Sequence, residues 1–80
     1  MPEHTYKLEE IVGVSEVSSG DAVRNAIARA TQTLRGLDWF QVVETRGTIA
    51  DGGVAQFQVT LKIGFRVMSP AELRSGAGER

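Results

Sequence analysis

No cysteine occurs in the 80 residues, which rules out a disulfide framework and a thiolate metal cluster. His4 is the single histidine, too few imidazoles for a zinc site. Charge of one sign is lacking too. Nine basic and ten acidic residues leave a net charge of −1, and the basic residues are scattered, so no footprint for nucleic acid is visible. No apolar run approaches the roughly 20 residues needed to span a bilayer. Met1-Pro2-Glu3-His4 has no charged-then-apolar layout of a secretory signal. Nothing resembles a nucleophile–base pair, a phosphate-cradling glycine loop or a metal-ligand cluster, and Asp51-Gly52-Gly53 is too short for a nucleotide fingerprint. The expectation is a soluble, cytoplasmic protein that acts on neither membranes nor nucleic acids. A chain this short has room for one small core, worth about 3–5 kcal/mol, and ordinarily adds a staple. With disulfides and metals removed, the remaining staple is self-association.

What is present reads as one domain over residues 1–80, with a folded core of about 5–68 and a flexible tail at 69–80. The tail expectation rests on Ser-Pro, Ser-Gly-Ala-Gly and mixed charge with little to bury. Tyr6, Leu8, Val12 and Val14 share one parity, interrupted by Glu10, and predict a strand with one apolar face. Ser18 and Asp21 have the serine-x-x-acid capping spacing of a helix start. Val23, Ile27, Ala30, Leu34 and Leu37 then recur at spacings of four and three, with Arg24, Ala28, Thr31 and Arg35 roughly opposite, and Gly36 supplies a stop. Trp39 to Ile49 predicts a strand whose two faces are both mixed. Ala50-Asp51-Gly52-Gly53 is a turn. Phe57, Val59, Leu61, Ile63, Phe65 and Val67 alternate strictly with polar residues and glycine, the plainest strand in the chain.

The order strand–helix–strand–strand makes the first two strands parallel and the third antiparallel to both. The expected fold is α+β, a three-stranded antiparallel sheet in the order 1-3-2 curled around one long helix. Such a sheet keeps two open edges and an uncovered outer face, which again favours an oligomer. A turn at 50–53 sets Ile49 opposite Val54. Counting back in unbroken register puts Phe40 beside Ile63 and Val42 beside Leu61 on the helix-facing side. Trp39 then falls beside Gly64, and Thr45 beside Gln58, on the opposite, polar face. Tyr6 and Phe65 are expected in the core.

Glu10-Ile11-Val12-Gly13, Asp21-Ala22, Ala30-Thr31-Gln32-Thr33-Leu34-Arg35, Leu37-Asp38-Trp39-Phe40, Arg46-Gly47 and Phe57-Gln58-Val59-Thr60-Leu61-Lys62-Ile63-Gly64-Phe65 stand in the order seen in bacterial dodecins. The chain resembles that family over about residues 5 to 67. The resemblance implies a hollow homododecamer that stacks flavins in pairs between tryptophans of neighbouring subunits, stores and buffers them, and quenches their photochemistry, a binder and not an enzyme. It implies FMN ahead of riboflavin or FAD as the cofactor, with coenzyme A as a candidate accessory ligand. By match to the family pattern Trp39 stacks on the ring, Gln58 bonds its edge and Arg46 lies beside it. Arg66, together with Lys7 and Arg29, would contact phosphate. A branch of the family lacks the tryptophan and has been proposed to take calcium; this sequence keeps Trp39. Val14 and Gln41 stand where Thr and Glu are more usual.

Each of these residues also has a plainer reading. Trp39 by pattern alone is a surface or interface tryptophan, Gln58 a solvated amide, and Arg46 an ordinary surface charge. Lys62 and Arg66 share a polar face with Gln58 and form a small basic strip, as many soluble strands do. Glu10, Asp38 and Glu44 are candidates for a cation path or plain surface carboxylates. Trp39 and Gln58 lie six positions apart along paired strands, roughly 20 Å at 3.3 Å per residue. A single ring touching both must draw them from different subunits. Two other functions stay in view: a flavin-dependent oxidoreductase, which needs an exposed ring edge, and an ion-binding structural shell without flavin.

Overall fold

The structure, a computed structural model, describes residues 4–67. The tail expected at 69–80 lies outside the described residues. Strand β1 covers Tyr6–Ser15, helix α1 Ser19–Ala30, strand β2 Leu37–Ala50 and strand β3 Gly53–Arg66. The sheet order is β1-β3-β2 with both pairings antiparallel, so the expected α+β topology is the one observed. Asp51 and Gly52 both take positive φ, the pattern of a tight two-residue hairpin turn. Among the described residues no helix is long and apolar enough to cross a membrane.

The helix begins as the capping spacing predicts. Ser18 adopts extended backbone, and its Oγ accepts the Asp21 amide at 3.0 Å. The Asp21 carboxylate, however, accepts the buried Ser15 hydroxyl at 2.8 Å, and Ser15 Oγ in turn accepts the Val17 amide at 2.9 Å. The last residue of β1 is thereby tied to the first turn of α1.

The regular helix is 12 residues and ends at Ala30. Leu34 still bonds its amide to the Ala30 carbonyl, and Gly36 at φ 72° then reverses the chain. The deepest face is Ala22, Ala26 and Ala30, with Val23 and Ile27 at its flank. Of the expected stripe, Ala30 lies on this face and Val23 and Ile27 flank it, while Leu34 and Leu37 fall beyond the helix and Ala22 and Ala26 take the central places. A Cβ on Gly13 would meet the Ala22 carbonyl and, at 2.8 Å, the Ala26 Cβ, so helix and strand are too close for a larger side chain between them.

Val59, Leu61 and Ile63 fill the sheet side of this contact and are the largest fully buried side chains. Each contributes about 1.5–3 kcal/mol by leaving water. The helix packs chiefly on β1 and β3. Phe40 and Val42 stand on its side of the sheet yet stay exposed, and β2 is open along its whole length save the half-buried Leu37. Tyr6 corrects a second expectation. In β1 the helix-facing positions are Ile11, Gly13 and Ser15, which leaves Tyr6, Leu8, Val12 and Val14 on the outer face, exposed. Phe65 is half-buried.

Candidate functional site

The outer face of the sheet is built by irregularities in one pairing. β1 pairs with β3 in unbroken register, but β2 pairs with β3 through three register shifts. Phe40–Ile63 and Val42–Leu61 are partners as expected. Val43 is then skipped, and from Glu44–Thr60 to Thr48–Gln56 each β2 residue sits one place further along β3 than a regular ladder would put it, until a shift after Thr48 restores the register at Ile49–Val54. The residue opposite Gln58 is therefore Arg46, not Thr45. An extra residue reverses which side chains face out, so Trp39 and Arg46 share a face although their parities differ. The mixed faces of this strand have their cause here.

Trp39 is directly opposite Gly64. A Cβ on Gly64 would fall among Cε2, Cζ2 and Cδ2 of the indole, so the ring lies flat across the glycine and buries it. Trp39 itself remains 43% exposed. One ring face rests on the sheet backbone and the other is open.

Tyr6 stands beside it, with ring centroids 6.2 Å apart and planes tilted by 58°. The Tyr6 hydroxyl donates to Asp38 Oδ2 at 2.9 Å. That hydrogen bond first, then partial desolvation and the negative charge of Asp38, hold the phenol above its ordinary value, while Arg66 pulls it down. Arg66 is the cross-strand partner of Tyr6, and its backbone amide bonds to Gly36. Tyr6 was missed as a site residue, and Asp38 was weighed only as part of a cation path. The signal was available: carrying the register across to β1 brings Tyr6 and Leu8 opposite Arg66 and Gly64.

Toward the turn, a side-chain ladder crosses the strands. Arg46 Nε donates to Gln58 Oε1 at 3.1 Å, and Gln58 Nε2 donates to Gln56 Oε1 at 3.0 Å. The Gln58 amide keeps one further donor and one further acceptor position, which suits the donor–acceptor edge of a heteroaromatic ring. Arg46 and Gln58 thus meet, while Trp39 lies six β3 positions away, as the sequence implies.

Lys7 and Arg29 belong to the other side of the sheet. Lys7 pairs with Phe65, on the parity of the helix-facing Ile63, and Arg29 lines a groove of about 250 Å³ with Glu9, Ile11 and Thr33. Arg66 instead borders a cavity of about 420 Å³ with Thr31, Arg35 and Asp38. The six candidate residues thus do not come together at one place on a single protomer. No group of three or more histidine and carboxylate side chains placed to hold a metal ion occurs among the described residues.

The fold has known relatives. Residues 5–68 match the dodecin family model. The chain is 53% identical over 62 residues to the dodecin of Thermus thermophilus, an overlap of 78% of this chain and 90% of that one. The structure of dodecin from Streptomyces coelicolor is similar with a TM-score of 0.82 at 55% identity, covering 86% of this chain and 99% of its own. Dodecin from Streptomyces davaonensis gives 0.82 at 51%, covering 85% and 100%.

Proposed function

The chain belongs to the dodecin family, and on that premise we propose that it stores and buffers flavin in a homododecamer, stacking the ring on Trp39. Small-molecule binding follows from the family itself. The flavin, the twelve-subunit shell, the cytoplasmic location and the lack of turnover are our reading. The observation that carries it is the indole of Trp39, backed by Gly64 and open on its other face. A flat aromatic ligand gains about 0.5–1.5 kcal/mol from such stacking beyond the area it buries.

Gln58 bonds the ring edge from a neighbouring subunit and Arg46 steadies Gln58. Arg66, Lys7 and Arg29 hold phosphate, of FMN or of an accessory nucleotide such as coenzyme A. Bound flavin supplies a light-absorbing, redox-active ring; the protein supplies the platform and the exclusion of partners. Leu8, Phe40, Val42, Val43 and Ile49 are exposed apolar side chains that assembly would cover, and Ile49 is open to 78%.

The test is an absorbance spectrum and light scattering of the purified protein, then titration with FMN, riboflavin and FAD. The expected result is a yellow particle near twelve times the 8.7 kDa chain, with saturable flavin binding. A monomer or dimer would remove the proposal and any shell with it, whereas a large particle that stays colourless and takes up no flavin would leave the ion-binding shell. Flavin-dependent turnover of an added electron donor would favour the oxidoreductase.

A further inference from the structure

The chain contains one tryptophan and one tyrosine, and the fold sets them side by side. Their ring centroids are 6.2 Å apart, inside the range at which aromatic rings touch. The tyrosine hydroxyl is aimed at the carboxylate of the residue that precedes the tryptophan, Asp38 Oδ2, at 2.9 Å. Each of the three comes from a strand end held by backbone pairing: Tyr6 opens β1 opposite Arg66, and Asp38 is the residue skipped between the Leu37–Phe65 and Trp39–Gly64 pairs. A bulge of this kind re-aims a side chain, and here it turns Asp38 toward Tyr6.

We propose that Tyr6 and Asp38 form a proton-coupled electron donor that restores Trp39 after its one-electron oxidation. An oxidant withdraws one electron from the indole and leaves a cation radical. Tyr6 passes one electron to that cation, and its phenolic proton moves along the hydrogen bond to Asp38 Oδ2. The products are neutral Trp39, a neutral phenoxyl radical on Tyr6 and the carboxylic acid of Asp38, so charge and electrons balance. Return of the electron from the reduced oxidant to Tyr6, with the proton from Asp38, closes the cycle.

A phenol that gives up its proton together with its electron is an easier donor than an isolated phenol. The carboxylate at 2.9 Å provides that path without diffusion. The consequence is that oxidising equivalents do not linger on the indole, where loss of its proton or attack by oxygen would destroy the stacking platform. The physiological oxidant, a light-excited flavin on Trp39, rests on the function proposed above; the relay among the three side chains does not.

The test uses the flavin-free protein with a ruthenium polypyridyl photo-oxidant generated by flash-quench, followed by transient absorption. With one tryptophan and one tyrosine in the sequence, the indole and phenoxyl bands have single sources. In the parent the indole radical should decay as the phenoxyl radical grows. Tyr6→Phe, which keeps the ring, should abolish the phenoxyl band and prolong the indole radical several-fold. Asp38→Asn should slow phenoxyl growth several-fold, and Trp39→Phe should remove its fast phase. An indole radical that decays equally fast in parent and Tyr6→Phe, or phenoxyl growth indifferent to Asp38→Asn, overturns the relay. Because no flavin is present, a failed flavin titration leaves this result untouched, and the converse holds.

Discussion

Gly64 lies beneath the indole of Trp39, its direct partner across β2 and β3, and the ring occupies the space a side chain there would need. Gly64→Ala must displace the ring. The obstructing atoms belong to a side chain on an open face, so the indole can swing aside. The cost should then sit at the low end of the roughly 1–3 kcal/mol typical of overpacking. Tryptophan emission should shift to the red as the ring enters water, and flavin affinity should fall with it. Unchanged emission in a folded Gly64→Ala protein would mean that the indole does not rest on this glycine.

Removing the platform and removing the edge contact should differ in size. Trp39→Ala should weaken flavin binding by more than an order of magnitude while the particle survives, since the indole lies off the helix-packed core. Gln58→Ala should cost about 1–3 kcal/mol of binding, the penalty for leaving a polar edge unmet. Calorimetric titration of both variants, with light scattering alongside, reads the two effects separately. Parent-like binding by Trp39→Ala would mean the ring stacks elsewhere.

Much of the fold was legible because its signals are local. The alternation from Phe57 to Val67 and the Asp51-Gly52 turn are set by neighbours in sequence, and the strand order follows from them. The position opposite Gln58 was not legible, because the shift at Val43 depends on how two strands settle against each other. Val42 and Val43 are both apolar, so neither parity marks which of them is the extra residue. Tyr6 was misplaced for a related reason: its apolar parity reads as a core face, and only the helix-facing Gly13 shows that the core lies on the other side. The alanine face of α1 was hidden as well. Hydrophobic periodicity weights large residues, whereas the closest packing here selects small ones.

That close packing gives a stability prediction with an internal control. Gly13→Ala drives a methyl into the Ala22 carbonyl, which belongs to helix backbone and cannot rotate away. The cost should reach about 3 kcal/mol or more, the upper range for overpacking. Gly52→Ala meets no atom within 4 Å but must hold φ 78°, and should cost only about 1 kcal/mol. Denaturant unfolding of the two variants gives the order directly. Equal losses would contradict the helix–strand contact described at Gly13.

Tyr6 makes a pH prediction. Its phenol is held above the ordinary tyrosine value of 10.0, first by the hydrogen bond to Asp38. A raised folded-state value means the contribution to stability is complete below pH 10 and is lost as pH climbs through the folded-state midpoint. Ultraviolet titration of phenolate follows this one group, since the sequence has no other tyrosine. The parent midpoint should lie above 10.0 and fall in Asp38→Asn. Identical midpoints would show that the hydrogen bond does not persist in solution.

The last prediction concerns light. Trp39 is an electron-rich ring with one face open to a stacked partner. Against an excited flavin, the indole can give up an electron and take it back before light is emitted or chemistry begins. Free flavin has no such partner and fluoresces strongly. Adding the flavin-free protein to a flavin solution should therefore extinguish the emission in step with site filling. Trp39→Phe keeps a flat surface but offers a poorer donor, so it should bind with less quenching. Trp39→Ala should abolish both. Flavin that binds tightly to the parent yet stays bright would exclude the indole as its stacking partner, and the storage-and-protection role falls with it.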